Sequence, residues 1–109
     1  MALNKSYLEA TVYFGKAIEI SPKQADYFLH RGDSFEALGF TKLAIDDYRM
    51  FKKLAPNYKE IFESNIKALE KDGEYEEANS FKAYLRKIEM YSFSLFFVVS
   101  QLNKIFYLE

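Results

Sequence analysis

Residues 25–58, ADYFLHRGDSFEALGFTKLAIDDYRMFKKLAPNY, organise the reading of the chain, because their small, aromatic and turn residues return at a constant interval on either side. Pro22 and Pro56, Ala10 and Ala44, Phe14 and Tyr48, Gly39 and Gly73, and Ala44 and Ala78 are each 34 residues apart. Five coincidences at one interval define a repeated unit. Within the stretch Phe28, Gly32 and Phe35 fall at i, i+4 and i+7, and so do Ala44, Tyr48 and Phe51, the spacing of one face of a helix. Gly39, Phe40 and Thr41 separate the two sets. The stretch therefore predicts two helices joined by a tight turn, with Gly39 in the left-handed position that ends the first and Thr41 capping the second. Gly32 lies mid-helix, where glycine costs about 1 kcal/mol against alanine. Its expected reason is close backbone approach, with Ala44 as the other small surface at a helix crossing.

These residues resemble the tetratricopeptide repeat (TPR) family. Phe28, Gly32, Phe35, Gly39, Ala44, Tyr48 and Pro56 stand where that 34-residue motif places its aromatic, small, aromatic, turn, alanine, aromatic and proline positions. Arg31 departs from it, standing where the family usually has an aliphatic residue, and Phe51 stands where it usually has a small one. The resemblance covers Ser6 to about Glu89. It implies an all-α fold of antiparallel helix-turn-helix repeats, a TPR-like right-handed solenoid, to which this chain adds a long apolar C-terminal helix.

Outward from the central stretch, the pattern divides a single expected domain, 1–109, into a partial unit, a complete one and a degenerate one. Residues 6–22 match the second helix of a unit. Ser6, Tyr7, Leu8 and Glu9 read as a capping box, predicting a helix from about Tyr7 to Ile20. Either the chain is a piece of a longer array or another surface covers the face of this helix. Gly15 has no role that the pattern explains. Ser21 and Pro22 read as a second capping signal, with proline at the first helical position, opening the complete unit at 25–58. Asn57 to Glu60 repeat the device and open the degenerate unit, 59–90, whose first helix presents Phe62, Ile66 and Leu69. Gly73 and Ala78 restore the turn signature. The register then slips, since Lys82 stands where Tyr48 predicts an aromatic, with Phe81 beside it.

Residues 91–109 form a C-terminal helix or extension. From Glu74 onward there is neither glycine nor proline, and Ala78, Phe81, Leu85, Ile88, Ser92, Leu95, Val99, Leu102 and Phe106 alternate steps of three and four like a heptad seam. One continuous helix is the reading favoured. The alternative is a turn at Tyr91 and Ser92, since Phe96 and Ser100 imitate Phe28 and Gly32. The segment is unusually apolar for the end of a repeat array, where a polar outer face is the rule. Phe93, Phe96, Val99, Leu102 and Phe106 are therefore candidates for self-association, and a symmetric homodimer is expected. A membrane span needs about 20 largely apolar residues, and Ser100, Gln101, Asn103 and Lys104 interrupt this run, which leaves a tail anchor only as an alternative.

A net charge of −1 over 109 residues argues against a nucleic-acid partner. No cysteine is present, which removes disulfides and thiolate chemistry and is compatible with a reducing compartment; a cytoplasmic location is expected. His30 is the sole histidine. No nucleophile elbow, phosphate-cradling loop or metal-ligand spacing appears, so no catalytic, cofactor or metal site is expected and the chain is read as a non-enzyme. Asp46 and Asp47 are read as a solvated helix face, and Glu76 and Glu77 as first-turn acids that suit the helix dipole.

The expected function is binding of a protein partner. The resemblance implies a concave groove, lined here by Asp26, Leu29, Asp33 and Glu36 from one unit and by Glu63, Lys67 and Glu70 from the next. Leu29 and Asp33 occupy positions where one TPR subclass carries the lysine and asparagine that grip acidic chaperone tails. The groove is net acidic, while Lys42, Arg49, Lys52 and Lys53 fall on the second helix. A basic or amphipathic peptide is the expected ligand. The alternative is a structural module that dimerises through its apolar C-terminal helix.

Overall fold

The computed structural model describes the backbone of residues 2–107 and the side chains of residues 5–91. Among the described residues every regular element is a helix: α1 Ala2–Ile20, α2 Ala25–Ala37, α3 Thr41–Leu54, α4 Tyr58–Lys71 and α5 Tyr75–Tyr107. They fall into two compact units, Met1–Ala55 with α1 to α3 and Pro56–Glu109 with α4 and α5.

In the first unit α2 and α3 form an antiparallel pair over a buried set that includes Phe28, Leu29, Ala44, Ile45, Tyr48 and Phe51. The turn between them follows from Gly39. Its φ is +85°, a conformation that costs an L residue roughly 1–2 kcal/mol. Two bonds close the end of α2: the Gly39 amide donates to the Glu36 carbonyl at 3.0 Å and the Phe40 amide to the Phe35 carbonyl at 2.9 Å. This is a Schellman motif, and the apolar contact that accompanies it is Phe35 against Phe40, edge to face at 6.3 Å. The device recurs 34 residues on, where Gly73 has φ +81° and the Gly73 and Glu74 amides reach the Glu70 and Leu69 carbonyls at 3.1 and 2.8 Å.

Helix α1 lies on α2 through Phe14, whose ring stands 6.3 Å from Tyr27 and 5.4 Å from His30. In the second unit α4 packs on α5 through Phe62, which meets Phe81 at 5.9 Å and Tyr84 at 6.1 Å, with Ile66, Ala78 and Ile88 buried. Phe81 thus takes the aromatic role and Lys82 is left exposed, which resolves the slip in register. Helix α5 is unbroken for 33 residues, so no turn interrupts it at Tyr91 and Ser92. Glu76 and Glu77 lie in its first turn, as expected.

The helix starts differ from expectation. Helix α1 begins at Ala2, so Ser6 to Glu9 lie inside it, beyond the four orphan amides that a capping box serves. Pro22 is not the first residue of α2; the Gln24 amide donates to the Ser21 carbonyl at 3.2 Å, placing proline second in a turn, where its fixed φ is suited. Phe40, Gln24 and Asn57 occupy the N-cap positions without side-chain caps, and Thr41 is already helical.

Candidate functional site

The α2–α3 crossing is built from charged as well as apolar groups. Arg31 donates from Nε and Nη2 to the two carboxylate oxygens of Asp47, each at 2.8 Å. Its guanidinium also lies 5.7 and 5.6 Å from the Phe28 and Phe35 rings on the flanking turns of α2. Asp47 is therefore buried and not part of a solvated face; the reading of Asp46 and Asp47 together holds for exposed Asp46 alone. The hydrogen bond from Arg31 to Asp47 raises the guanidinium's pKa above its ordinary value, opposed by burial. Arg31, the departure from the repeat motif, is thus matched by an acid 16 residues on.

Gly32 faces the ring of Tyr48 and the Cβ of Asp47. A methyl group there would meet them at 3.1 to 3.3 Å, so the close approach is real but its nearest partners are Tyr48 and Asp47. Ala44 is fully buried one turn earlier on α3. The Tyr48 hydroxyl, on a fully buried ring, donates to Asp33 Oδ1 at 2.6 Å and lies 3.2 Å from Glu36 Oε2.

That bond decides how the expected groove residues stand. Asp33 and Glu36 are half-buried acceptors on α2, oriented by Tyr48, and Asp26 is exposed in its first turn. Leu29 is buried and does not line an open surface, because α2 is packed by both α1 and α3. On the second unit Glu63 and Lys67 of α4 are exposed. Glu70 accepts from Lys82 Nζ at 2.8 Å, so its charge is already answered. Glu63 shares an open cleft of about 430 Å³ with Lys59, Lys82, Leu85, Arg86 and Glu89, across which Lys59 and Glu89 pair at 3.4 Å. The expected self-association residues Phe93, Phe96, Val99, Leu102 and Phe106 lie outside the residues whose side chains are described, as does the run that the tail-anchor alternative rests on. Among the described residues no helix is long and apolar enough to cross a membrane, and no group of three or more His, Cys, Asp and Glu side chains could hold a metal ion.

Sequence reasoning missed the Arg31–Asp47 pair and the Tyr48 hydroxyl's hold on Asp33. The signal was present: an arginine at a normally aliphatic position beside Gly32 needs an acid across the crossing.

No protein-family model matches the chain. It is 34% identical over 86 residues to the small glutamine-rich tetratricopeptide repeat-containing protein 2 of Mycosarcoma maydis, covering 79% of this chain. It is 28% identical over 82 residues, 74% of this chain, to the tetratricopeptide repeat and J domain-containing co-chaperone DNJ1 of Cryptococcus neoformans. The chain spans 24% of the first relative's length and 16% of the second's. With a 34-residue period, helix pairs ended by the same glycine turn, and relatives named for the repeat, the chain belongs to the tetratricopeptide repeat family.

Proposed function

We propose that the chain is a non-catalytic protein-interaction module whose α2 face takes a basic or amphipathic peptide. The observation that carries this reading is the row Asp26, Asp33 and Glu36 on one face of α2, with Asp33 accepting from the Tyr48 hydroxyl and Glu36 3.2 Å from it. Oriented anions favour a cationic ligand and repel an acidic one, contributing steering and selectivity more than affinity. One relative is named a co-chaperone. A chaperone-linked role is compatible with the α2 face, but an acidic chaperone tail is not the ligand that its charges suit. On α4 the exposed pair Glu63 and Lys67 is of mixed sign, so α2 dominates the selectivity.

Titration of basic and acidic peptides of equal length, at two salt concentrations, tests the reading. The basic set should bind more tightly, lose affinity in high salt, and be weakened by Asp26→Lys. Tighter binding of the acidic set overturns it.

The alternative, self-association through the C-terminal half of α5, is favoured by one observation. Helix α5 has 33 residues and α4 has 14, so at 1.5 Å per residue α5 is longer by about 28 Å. Its distal half carries the apolar seam.

A further inference from the structure

The two observed helix pairs share one pairing scheme. In the first unit Tyr48 of α3 reaches Glu36 of α2. In the second unit the residues 34 later, Lys82 and Glu70, pair at 2.8 Å. Positions across the crossing therefore correspond between units although the residue types differ.

Helix α1 is α3 displaced by 34 positions: Tyr13 stands for Asp47, Phe14 for Tyr48 and Ala17 for Phe51. Asp47 is 4% and Tyr48 0% exposed, whereas Tyr13 is 67% exposed, and Phe14 and Ala17 are only half-buried. Beside them lies a shallow cleft of about 350 Å³ walled by Tyr13, Lys16, Ala17, Ile20, Ser21 and Tyr27. Of the face that α3 turns to α2, the Tyr13 side is thus open on α1, while Phe14 already meets Tyr27 and His30 of α2.

Residues 93–105, helical as part of α5, are α2 (25–37) displaced by 68, twice the 34-residue period. Phe96 stands for Phe28 and Ser100, still small, for Gly32. The change at one position of α2 matches a change between α1 and α3. Where Arg31 pairs with Asp47, the counterparts are Val99 and Tyr13, so a buried ion pair becomes an apolar pair. Where Asp33 and Glu36 receive the Tyr48 hydroxyl, the counterparts are Gln101 and Lys104 opposite Phe14, which has no hydroxyl to donate. At the first pair the charged partners are lost on both sides together, which leaves no orphaned charge there; at the second the acidic acceptors are lost along with their donor, while Gln101 and Lys104 remain polar.

We propose that residues 93–105 of one copy dock on α1 of a second copy in the manner that α2 docks on α3. The proposal rests on the self-association reading and names its two faces. Light scattering tests it. The native chain should associate, and Tyr13→Asp or Val99→Arg alone should weaken association at least about tenfold. The double variant should recover it, because it recreates the Arg31–Asp47 pair. Since the chain has no cysteine, a mixture of Tyr13→Cys and Val99→Cys chains should form an intermolecular disulfide that Arg49→Cys, on the exposed side of α3, does not form with Val99→Cys. A native chain of single mass overturns both self-association and this docking. Association that persists undiminished in both single variants, with no selective cross-link, overturns the docking alone.

Discussion

At the scale of single residues, the crossing of α2 and α3 turns on which small residues are obligatory. Gly15 and Gly32 are both helix-interior glycines, yet a methyl group on Gly15 would meet only the Arg31 Nη1 atom at 3.8 Å, an ordinary contact. Gly15→Ala should therefore stabilise the protein by about 0.5–1 kcal/mol through helix propensity. Gly32→Ala gains the same propensity but presses on the Asp47 Cβ and the buried Tyr48 ring, and overpacking costs about 1–3 kcal/mol. The net change should be destabilising. Urea unfolding of the two variants should give midpoint shifts of opposite sign; shifts of the same sign would show that the crossing yields more than its geometry implies.

The Arg31–Asp47 pair supplies a second residue-scale expectation. Removing one partner of a buried pair costs about 3–5 kcal/mol, and Arg31 retains 25% side-chain exposure, so Arg31→Leu should fall at the lower end. Arg31→Leu combined with Asp47→Leu should regain most of that loss, since an apolar pair leaves no buried charge unanswered. A double variant as unstable as the sum of the two singles would assign the loss to packing. Because the Arg31 pKa is raised, chiefly by its hydrogen bond to Asp47, the guanidinium's contribution is complete below its unfolded value and is lost only as pH climbs through the higher folded one. The arginine side of the pair therefore adds no slope to stability near neutral pH.

At the scale of elements, the two helix ends at Gly39 and Gly73 have the same backbone and the same bonds. Nothing lies within 4 Å of a Cβ built at either, so the cost of a side chain there is backbone strain alone. Gly39→Ala and Gly73→Ala should each lose about 1–2 kcal/mol, and asparagine, which tolerates the left-handed region, should lose less. Thermal melts would check this; an alanine as tolerated as asparagine at either site would mean that the turn rearranges. The bare N-caps of α2, α3 and α4 show the converse, that these helices begin where the turns permit and owe little to side-chain capping.

At the scale of the whole molecule, two proposed surfaces lie on different helices and can be separated by measurement. The proposed peptide surface is the acidic face of α2, and the proposed self-association surface is α1 with the distal part of α5. Tyr13→Asp, which is expected to dissociate copies, should leave the affinity for a basic peptide intact, and Asp26→Lys should leave the mass intact.

The all-helical architecture, the glycine turns and the family were legible in the sequence, because each rests on short-range physics: a 3.6-residue periodicity, a left-handed turn residue and a recurrence at 34 positions. The continuous run of α5 was legible for the same reason, since nothing from Glu74 onward breaks a helix. The groove was legible only in part, because sequence spacing shows which side of a helix a residue takes but not what meets it there. Tertiary structure alone decided that Leu29 is buried, that Asp47 is paired and not solvated, and that Tyr48 reaches across to Asp33. The last two outcomes depend on residues 15 or 16 apart in the chain meeting within hydrogen-bond distance, and such contacts are set by how closely two helices approach, for which Gly32 and Arg31 were the local clues.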